Sequence, residues 1–381
     1  MKEFEICVST AFGIEAVTKR ELNGLGILEA PARDGMLYFR GNHNDIARCN
    51  MFLRSAERVY IIVDTFPCAS FDELYEGVFA LDWMEFLPRN AKIIVNGKCV
   101  NSVLYGVSAC QSIMKKAIVV KMKKSYCMAT VEEDGNEYKV NFAIVDNIAT
   151  ITIDTSGKGL HKRGYRDLVG EAAIKETLAA AIIQLSIWNP DRVLLDPFCG
   201  SGTIPIEAAL IGHNIAPGNM REFSYEKWDN FDKKIIEYAR QEAKDLIKMD
   251  KSLRISAFDI DGEAIKLAER HAKRAGVNES IHFQKMDMRK VESRYKYGVI
   301  ITNPPYGERL MEEREVANLM KDFSKMFYTL DNWSLYLITS FGEFERYFGR
   351  HADKNRKLYN GTLQCRLYQY LGEKPPRQVK E

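Results

Sequence analysis

A chain of 381 residues is longer than one ordinary domain and is expected to divide into two or three, each with its own core. With 46% hydrophobic and 28% charged residues it has a globular composition, which excludes a disordered or fibrous chain. Fifty-four Lys and Arg against 52 Asp and Glu leave a net charge of +2, so an anionic partner must be sought in local patches.

The first half reads as short strands and helices in alternation. Glu3 to Ser9 alternates as a strand, and Gly13 to Leu22 carries Ile14, Val17 and Leu22 on one helical face. A strand from Gly35 to Phe39, a helix from Asn44 to Arg54 and a strand from Val59 to Asp64 follow. Ser70-Phe71-Asp72-Glu73 is a capping box that opens a helix toward Leu81. Lys92 to Asn96 predicts a strand and Ser108 to Lys124 a helix, with strands at Met128 to Glu132, Tyr138 to Ile144 and Ile148 to Asp154. This alternation predicts a small α+β module, or two of them.

The second half changes character beyond Thr155-Ser156-Gly157-Lys158-Gly159. A helix from Leu168 to Trp188 ends at Asn189-Pro190, and a strand from Arg192 to Phe198 runs into Cys199-Gly200-Ser201-Gly202 and a helix to Gly212. Strands at Arg254 to Asp259, Ile281 to Met286, Tyr297 to Thr302 and Trp333 to Ser340 alternate with helices at Glu263 to Ala275 and Val316 to Leu330. That rhythm predicts a doubly wound, mostly parallel α/β sheet. Ile215 to Asp250, with Trp228 and a charged helical stretch, interrupts it as an inserted helical excursion. Lys374 onward reads as a frayed tail.

Asp196-Pro197-Phe198-Cys199-Gly200-Ser201-Gly202-Thr203 joins a strand to a helix, and Gly200 and Gly202 allow close backbone approach to a ligand. A P-loop would need Gly-Lys-Ser/Thr, which is absent, and a dinucleotide fingerprint a third glycine where Pro205 stands. The loop resembles motif I of class I methyltransferases, which wraps S-adenosylmethionine. Asp259, at the end of the next strand, is placed to hold both ribose hydroxyls, while Asp261 caps a helix. Asp287, at a third strand end, is placed to accept from the adenine amino group. Asp196, Phe198, Gly200, Ser201, Gly202, Asp259 and Asp287 are therefore the expected cofactor residues, joined by Asn303 from a fourth strand end.

Asn303-Pro304-Pro305-Tyr306 follows that fourth strand directly. A conjugated exocyclic amine is a poor nucleophile, because its lone pair is delocalised into the ring. The Asn303 side-chain oxygen and the Pro304 carbonyl can accept its two N–H groups and turn the lone pair toward the methyl donor. The prolines add rigidity and remove competing donors, and Tyr306 can stack on a base taken out of its helix. The remaining contribution is proximity, with no metal required.

The two segments Asp196–Ile204 and Asn303–Leu310, with His161-Lys162-Arg163-Gly164-Tyr165-Arg166 between the halves, resemble the THUMP-domain class I RNA guanine-N2 methyltransferases. Within these the likeness is greatest to the N-terminal half of the RlmL-type 23S ribosomal RNA enzymes, and it covers nearly the whole chain. It implies a ferredoxin-like region at 1–55, a THUMP RNA-binding domain at 56–157 and a methyltransferase domain at 158–381 with the insertion 215–250. It implies N2-methylation of guanine, with Asn303 and Tyr306 touching the target base. RlmL-type chains of enterobacteria carry a second methyltransferase domain, and this chain ends at Glu381, so a single guanine-directed activity is expected.

RNA contacts are expected from Lys116, Lys123 and Lys124 on the predicted Ser108–Lys124 helix, which also carries Lys115 and Lys121. A second set is Lys162, Arg163 and Arg166 at the junction, with Arg309 after the catalytic loop. The eight cysteines are scattered without CxxC pairs and the six histidines without metal-ligand spacing; with no apolar leader or membrane-length run, a cytoplasmic protein with reduced thiols and no metal is expected. Three functions stay open on residues alone. They are an RNA guanine-N2 methyltransferase acting on ribosomal or transfer RNA, a DNA adenine-N6 methyltransferase sharing Asn-Pro-Pro-Tyr, and a non-catalytic RNA-binding or assembly protein.

Overall fold

The computed structural model describes residues 2–167, 173–305 and 313–374. Phe4, Ile6 and Val8 face the core from one side of Phe4–Thr10 and Cys7 is buried on the other, so β1 lies at the centre of the first ferredoxin-like half. Helix α1 (Glu15–Gly24), β2 (Ala32–Arg33), β3 (Met36–Gly41) and α2 (His43–Phe52) complete it. Asn42 starts α2 with a capping box closed by Asp45. Strand β4 (Ala56–Pro67) pairs antiparallel with β1 on one edge and on the other with β7 (Ile148–Asp154), so the whole front half is one continuous sheet. Its remaining members are α3 (Phe71–Ala80), β5 (Lys92–Val100), α4 (Val107–Ser125) and β6 (Glu137–Val145), giving the order β2-β3-β1-β4-β7-β6-β5. Ser70 caps α3 as expected, by accepting the Glu73 amide. The strand expected at Met128–Glu132 is absent. That stretch lies between Cys127 at φ 49° and Glu133 at φ 52°, two left-handed residues that take the chain out of extended pairing.

The second half opens with α5 (Glu176–Leu185), later than expected, since Lys175 is extended at ψ 143°; the expected start at Leu168 lies outside the described residues. It continues through β8 (Leu194–Asp196), α6 (Thr203–Gly212), α7 (Lys233–Asp245), β9 (Ile255–Asp259), α8 (Gly262–Arg274), β10 (Ile281–Lys285), β11 (Val299–Thr302), α9 (Glu313–Tyr328) and β12 (Ser334–Thr339). The chain then adds α10 (Phe344–Phe348) and a hairpin, β13 (Lys354–Asn360) and β14 (Leu363–Tyr370), for which the sequence carried no expectation. The order is β10-β9-β8-β11-β12-β14-β13. All neighbours are parallel except β14, which runs antiparallel to both its partners. The expected doubly wound sheet is thus present, and its order reverses between β8 and β11, opening a crevice beyond their carboxyl ends. No helix of the described residues is long and apolar enough to cross a membrane.

The insertion is a clamp rather than an excursion. Ala216, Phe223, Tyr225, Trp228, Phe231, Ala239 and Ala243 all belong to the core of the front half. Trp228 stacks on Tyr138 at 4.7 Å and donates its indole N–H to the Glu137 carbonyl, while the Tyr225 amide bonds Thr155. In the other direction Ile14 and Val17 of α1 are buried in the core of the catalytic half.

Candidate active site

Four strand ends meet at the crevice. Gly200 and Gly202 adopt φ 51° and 82°, values that other residues resist, and turn the chain from β8 into α6. A Cβ on Gly202 would sit 2.9 Å from the Ala268 Cβ, so this glycine lets α8 approach the loop. A Cβ on Gly200 would meet nothing within 4 Å, so this glycine faces open space. The loop is held from beneath: the Cys199 amide donates to the Phe258 carbonyl at 2.9 Å, and the Gly200 amide to the Asp259 carboxylate at 2.9 Å.

Asp259 therefore stands at the end of β9 against the glycine loop, with its other oxygen accepting the Asp261 amide at 2.9 Å. Asp261 caps α8 through the Glu263 amide, as expected. Ile260, between them and 64% exposed, was missed by sequence reasoning; it places an apolar side chain beside Asp259, suited to the flat face of a nucleobase. Asp287 lies just beyond β10, where it accepts the Arg289 amide and pairs with the Arg289 guanidinium at 3.0 Å. Those bonds hold its carboxyl below the usual range.

Asp196 is buried at the end of β8. One oxygen accepts the Phe198 amide at 3.2 Å and the Thr302 hydroxyl at 2.7 Å. Thr302, which no sequence pattern singled out, thus ties the strand carrying Asn303 to the glycine loop. Burial raises the Asp196 carboxyl to about 7, against the bonds from Thr302 and Phe198. Phe198 is half-buried and packs its ring on Phe323 of α9 at 5.6 Å. Asn303 and Pro305 are half-buried at the mouth and Pro304 is buried; Tyr306 and Arg309 lie outside the described residues. Ser201 is half-buried, and its carbonyl lies 3.1 Å from Nδ1 of the buried His271, whose other nitrogen faces Asp167 at 3.3 Å. The structure therefore gathers Asp196, Phe198, Gly200, Ser201, Gly202, Asp259, Asp287, Asn303 and Pro304 along one edge of the sheet.

The expected RNA-binding residues divide. Lys116 and Lys124 are exposed and Lys123 half-buried, with Lys116 over the Tyr75 ring and Lys124 over Phe79. Lys121 shares Phe79, whereas Lys115 is tied to Glu133 at 2.6 Å. Lys162 is exposed. Arg163 corrects the expectation: it is 2% exposed, donating to the Leu160 and Arg54 carbonyls and pairing with Glu207 of α6. Arg166 is likewise interior, paired with Glu176 and the Ile174 carbonyl at 3.3 and 3.1 Å. Beside them Glu57 of β4 bonds His161, Lys175 and Thr177; burial opposes its charge, but these partners hold its carboxyl down to about 2. Both cations are therefore held inside the protein rather than offered to a phosphate, and Arg163 also ties the two halves together.

Comparison with known proteins agrees with this geometry. Residues 163–369 match the RMKL-like methyltransferase domain, residues 5–60 the RlmL ferredoxin-like domain and residues 68–154 the THUMP domain. The candidate RNA methyltransferase YpsC of Bacillus subtilis (strain 168) is 44% identical across 100% of this chain and 99% of its own. The crystal structure of SMU.472, a candidate methyltransferase complexed with S-adenosylhomocysteine, superposes with a TM-score of 0.94 at 41% identity, covering 98% of this chain and 100% of that one. A Listeria monocytogenes (strain 4b F2365) protein predicted to be an N6-adenine-specific DNA methylase superposes at 0.93 and 45% identity, covering 98% and 97%. The cofactor is S-adenosylmethionine, and the open face of Gly200 with the acidic strand end at Asp259 fits it.

Proposed function

This chain belongs to the RMKL-like methyltransferase family, and from that premise we propose that it methylates the exocyclic N2 of a guanine in RNA, with 23S ribosomal RNA as substrate. The observation that carries the reading is the Thr302–Asp196 bond, which fixes Asn303 and Pro304 beside the glycine loop. S-adenosylmethionine supplies a methyl group already activated on a sulfonium.

This chain's residues do the positioning. Asp259 accepts from ribose hydroxyls, Ile260 covers the adenine, and the glycine loop runs along the methionine part, with Asp196 holding its frame. Asp287, although engaged with Arg289, keeps acceptor capacity for the adenine amino group. The Asn303 side-chain oxygen and the Pro304 carbonyl accept the two N–H groups of the target amine, which directs its lone pair toward the methyl. The amine loses its proton after attack, so no strong base is required. The THUMP match and the RNA methyltransferase name of YpsC support RNA as the substrate class, with exposed Lys116, Lys124 and Lys162 as phosphate contacts. Adenine N6 in DNA is the second reading, favoured by the description of the Listeria relative and opposed by the THUMP match.

The test supplies methyl-labelled cofactor with unmodified 23S ribosomal RNA, transfer RNA or DNA, and analyses the nucleosides. N2-methylguanosine in the ribosomal RNA is expected. Label only in transfer RNA, or only as N6-methyladenine, overturns the corresponding step. Asn303→Ala should lower turnover about 100–1,000-fold, as loss of a transition-state acceptor does. Its S-adenosylhomocysteine affinity, read by calorimetry, should change little.

A further inference from the structure

The C-terminal hairpin carries two cations that its own fold does not use. Lys357 of β13 and Arg366 of β14 stand directly opposite each other in the antiparallel pair, and so on the same face. Both are exposed, and among the described residues neither has an acidic partner within salt-bridge distance. Like charges directly opposite in a sheet are destabilising. The lower part of the same face is covered: Tyr368 and Tyr370 pack against Phe344 and Phe348 of α10. The opposite face, Leu358, Cys365 and Leu367, is core. Among the described residues the upper part is left bare, where Tyr359 pairs with Gln364 and the Lys357 ammonium lies 5.4 Å from the Tyr359 ring.

Register places this bare part at the level of the catalytic loop. Thr302 is opposite Leu337 on β12, and Thr339, two residues on, is opposite Arg366. Arg366 is therefore level with Pro304, two strands away, and Lys357 three strands away, or roughly 10 and 14 Å at ordinary strand spacing. Leu363 and Gln364 lie past the end of β12, so the hairpin rises by about 10 Å beside the catalytic crevice. It is braced there by the Lys175 amide, which donates to the Asn360 side chain at 3.3 Å.

We propose that Lys357 and Arg366 form a phosphate-binding site on the rim of the active site, gripping the RNA backbone next to the nucleotide presented to Asn303. The site rests on the RNA reading above. Two phosphate oxygens replace the missing carboxylate and turn a like-charge conflict into a bridged pair, and Tyr359 offers a neighbouring base a stacking surface.

The double variant Lys357→Gln/Arg366→Gln tests it, measured against unmodified 23S ribosomal RNA and transfer RNA transcribed in vitro. The slope of log affinity against log salt should fall by roughly 1.4–1.8, which is about 25–60-fold in affinity between 1 M and 0.1 M salt. Calorimetric affinity for S-adenosylhomocysteine should be unchanged, and the melting temperature equal or higher, since a repulsion has been removed. A variant that binds both RNAs as the wild type does, with the same salt slope, overturns the site alone. Wild-type protein that binds neither RNA overturns the RNA reading and the site with it.

Discussion

Asp196 meets two demands that conflict. Its position beneath the glycine loop excludes water, yet its oxygen must accept from both Thr302 and the Phe198 amide. Burial raises its carboxyl from 3.8 to about 7, so the folded chain holds this proton more tightly than the unfolded one. The stabilisation from that proton is complete below pH 4 and is lost as pH rises through 7. Asp196→Asn keeps an acceptor oxygen and never ionises. It should therefore stabilise the protein at pH 8, by roughly 2–4 kcal/mol, and be close to neutral at pH 4. Melting curves at the two values check this, and equal shifts at both would place the cost elsewhere. Arg163 shows the opposite limit of reading residues singly. The run His161–Arg166 has the composition of a surface patch, and only the folded chain brings in Glu207, 44 residues away, to bury it.

Among the elements, period and punctuation located most strands of both sheets, because each buries at least one face and is bounded by turn residues. Ile148–Asp154 matches end to end. Met128–Glu132 has the strand composition, but its flanking left-handed residues turn it out of extended pairing. Lys354–Asn360 is polar on one face and short on the other, so β13 gives no strand signal until β14 supplies Leu367 and Cys365 beside Leu358. The places of the glycine loop, Asp259 and Asn303 at strand ends were legible, because turn-forming residues there follow buried apolar runs directly. Thr302 and His271 were not, since Asp196, the Ser201 carbonyl and Asp167 come up against them only in the fold, and the exposure of Ile260 beside Asp259 is likewise set there. The apolar face of Ile215 to Asp250 could not be interpreted from sequence, because it answers a core in the front half: Trp228 stacks on Tyr138, 90 residues earlier (228 − 138). Trp228→Ala should accordingly destabilise the whole protein by about 3–5 kcal/mol, the cost of deleting a buried aromatic ring. A shift confined to a fraction of the calorimetric transition would show that the insertion is only a local appendage.

At the scale of the whole molecule the two functional parts share their cores. From sequence the chain is expected to divide into domains each with its own core, with the residues before Thr155 apart from the catalytic half. The structure opposes this. Phe223, Tyr225, Trp228 and Phe231 of the catalytic half pack into the front core, and Ile14 and Val17 of α1 into the catalytic core. Arg163 joins Glu207 of α6, the helix that follows the glycine loop, to the Arg54 carbonyl in front. Deleting the front half would expose those four aromatic rings together and take away the Arg54 carbonyl to which the buried Arg163 donates. Ordinary domains hold only about 5–15 kcal/mol in total. The fragment 156–381 should therefore aggregate or fail to melt cooperatively, and the intact chain should unfold in one transition by calorimetry. A soluble fragment that melts cooperatively and binds S-adenosylhomocysteine would show instead that the shared cores are dispensable.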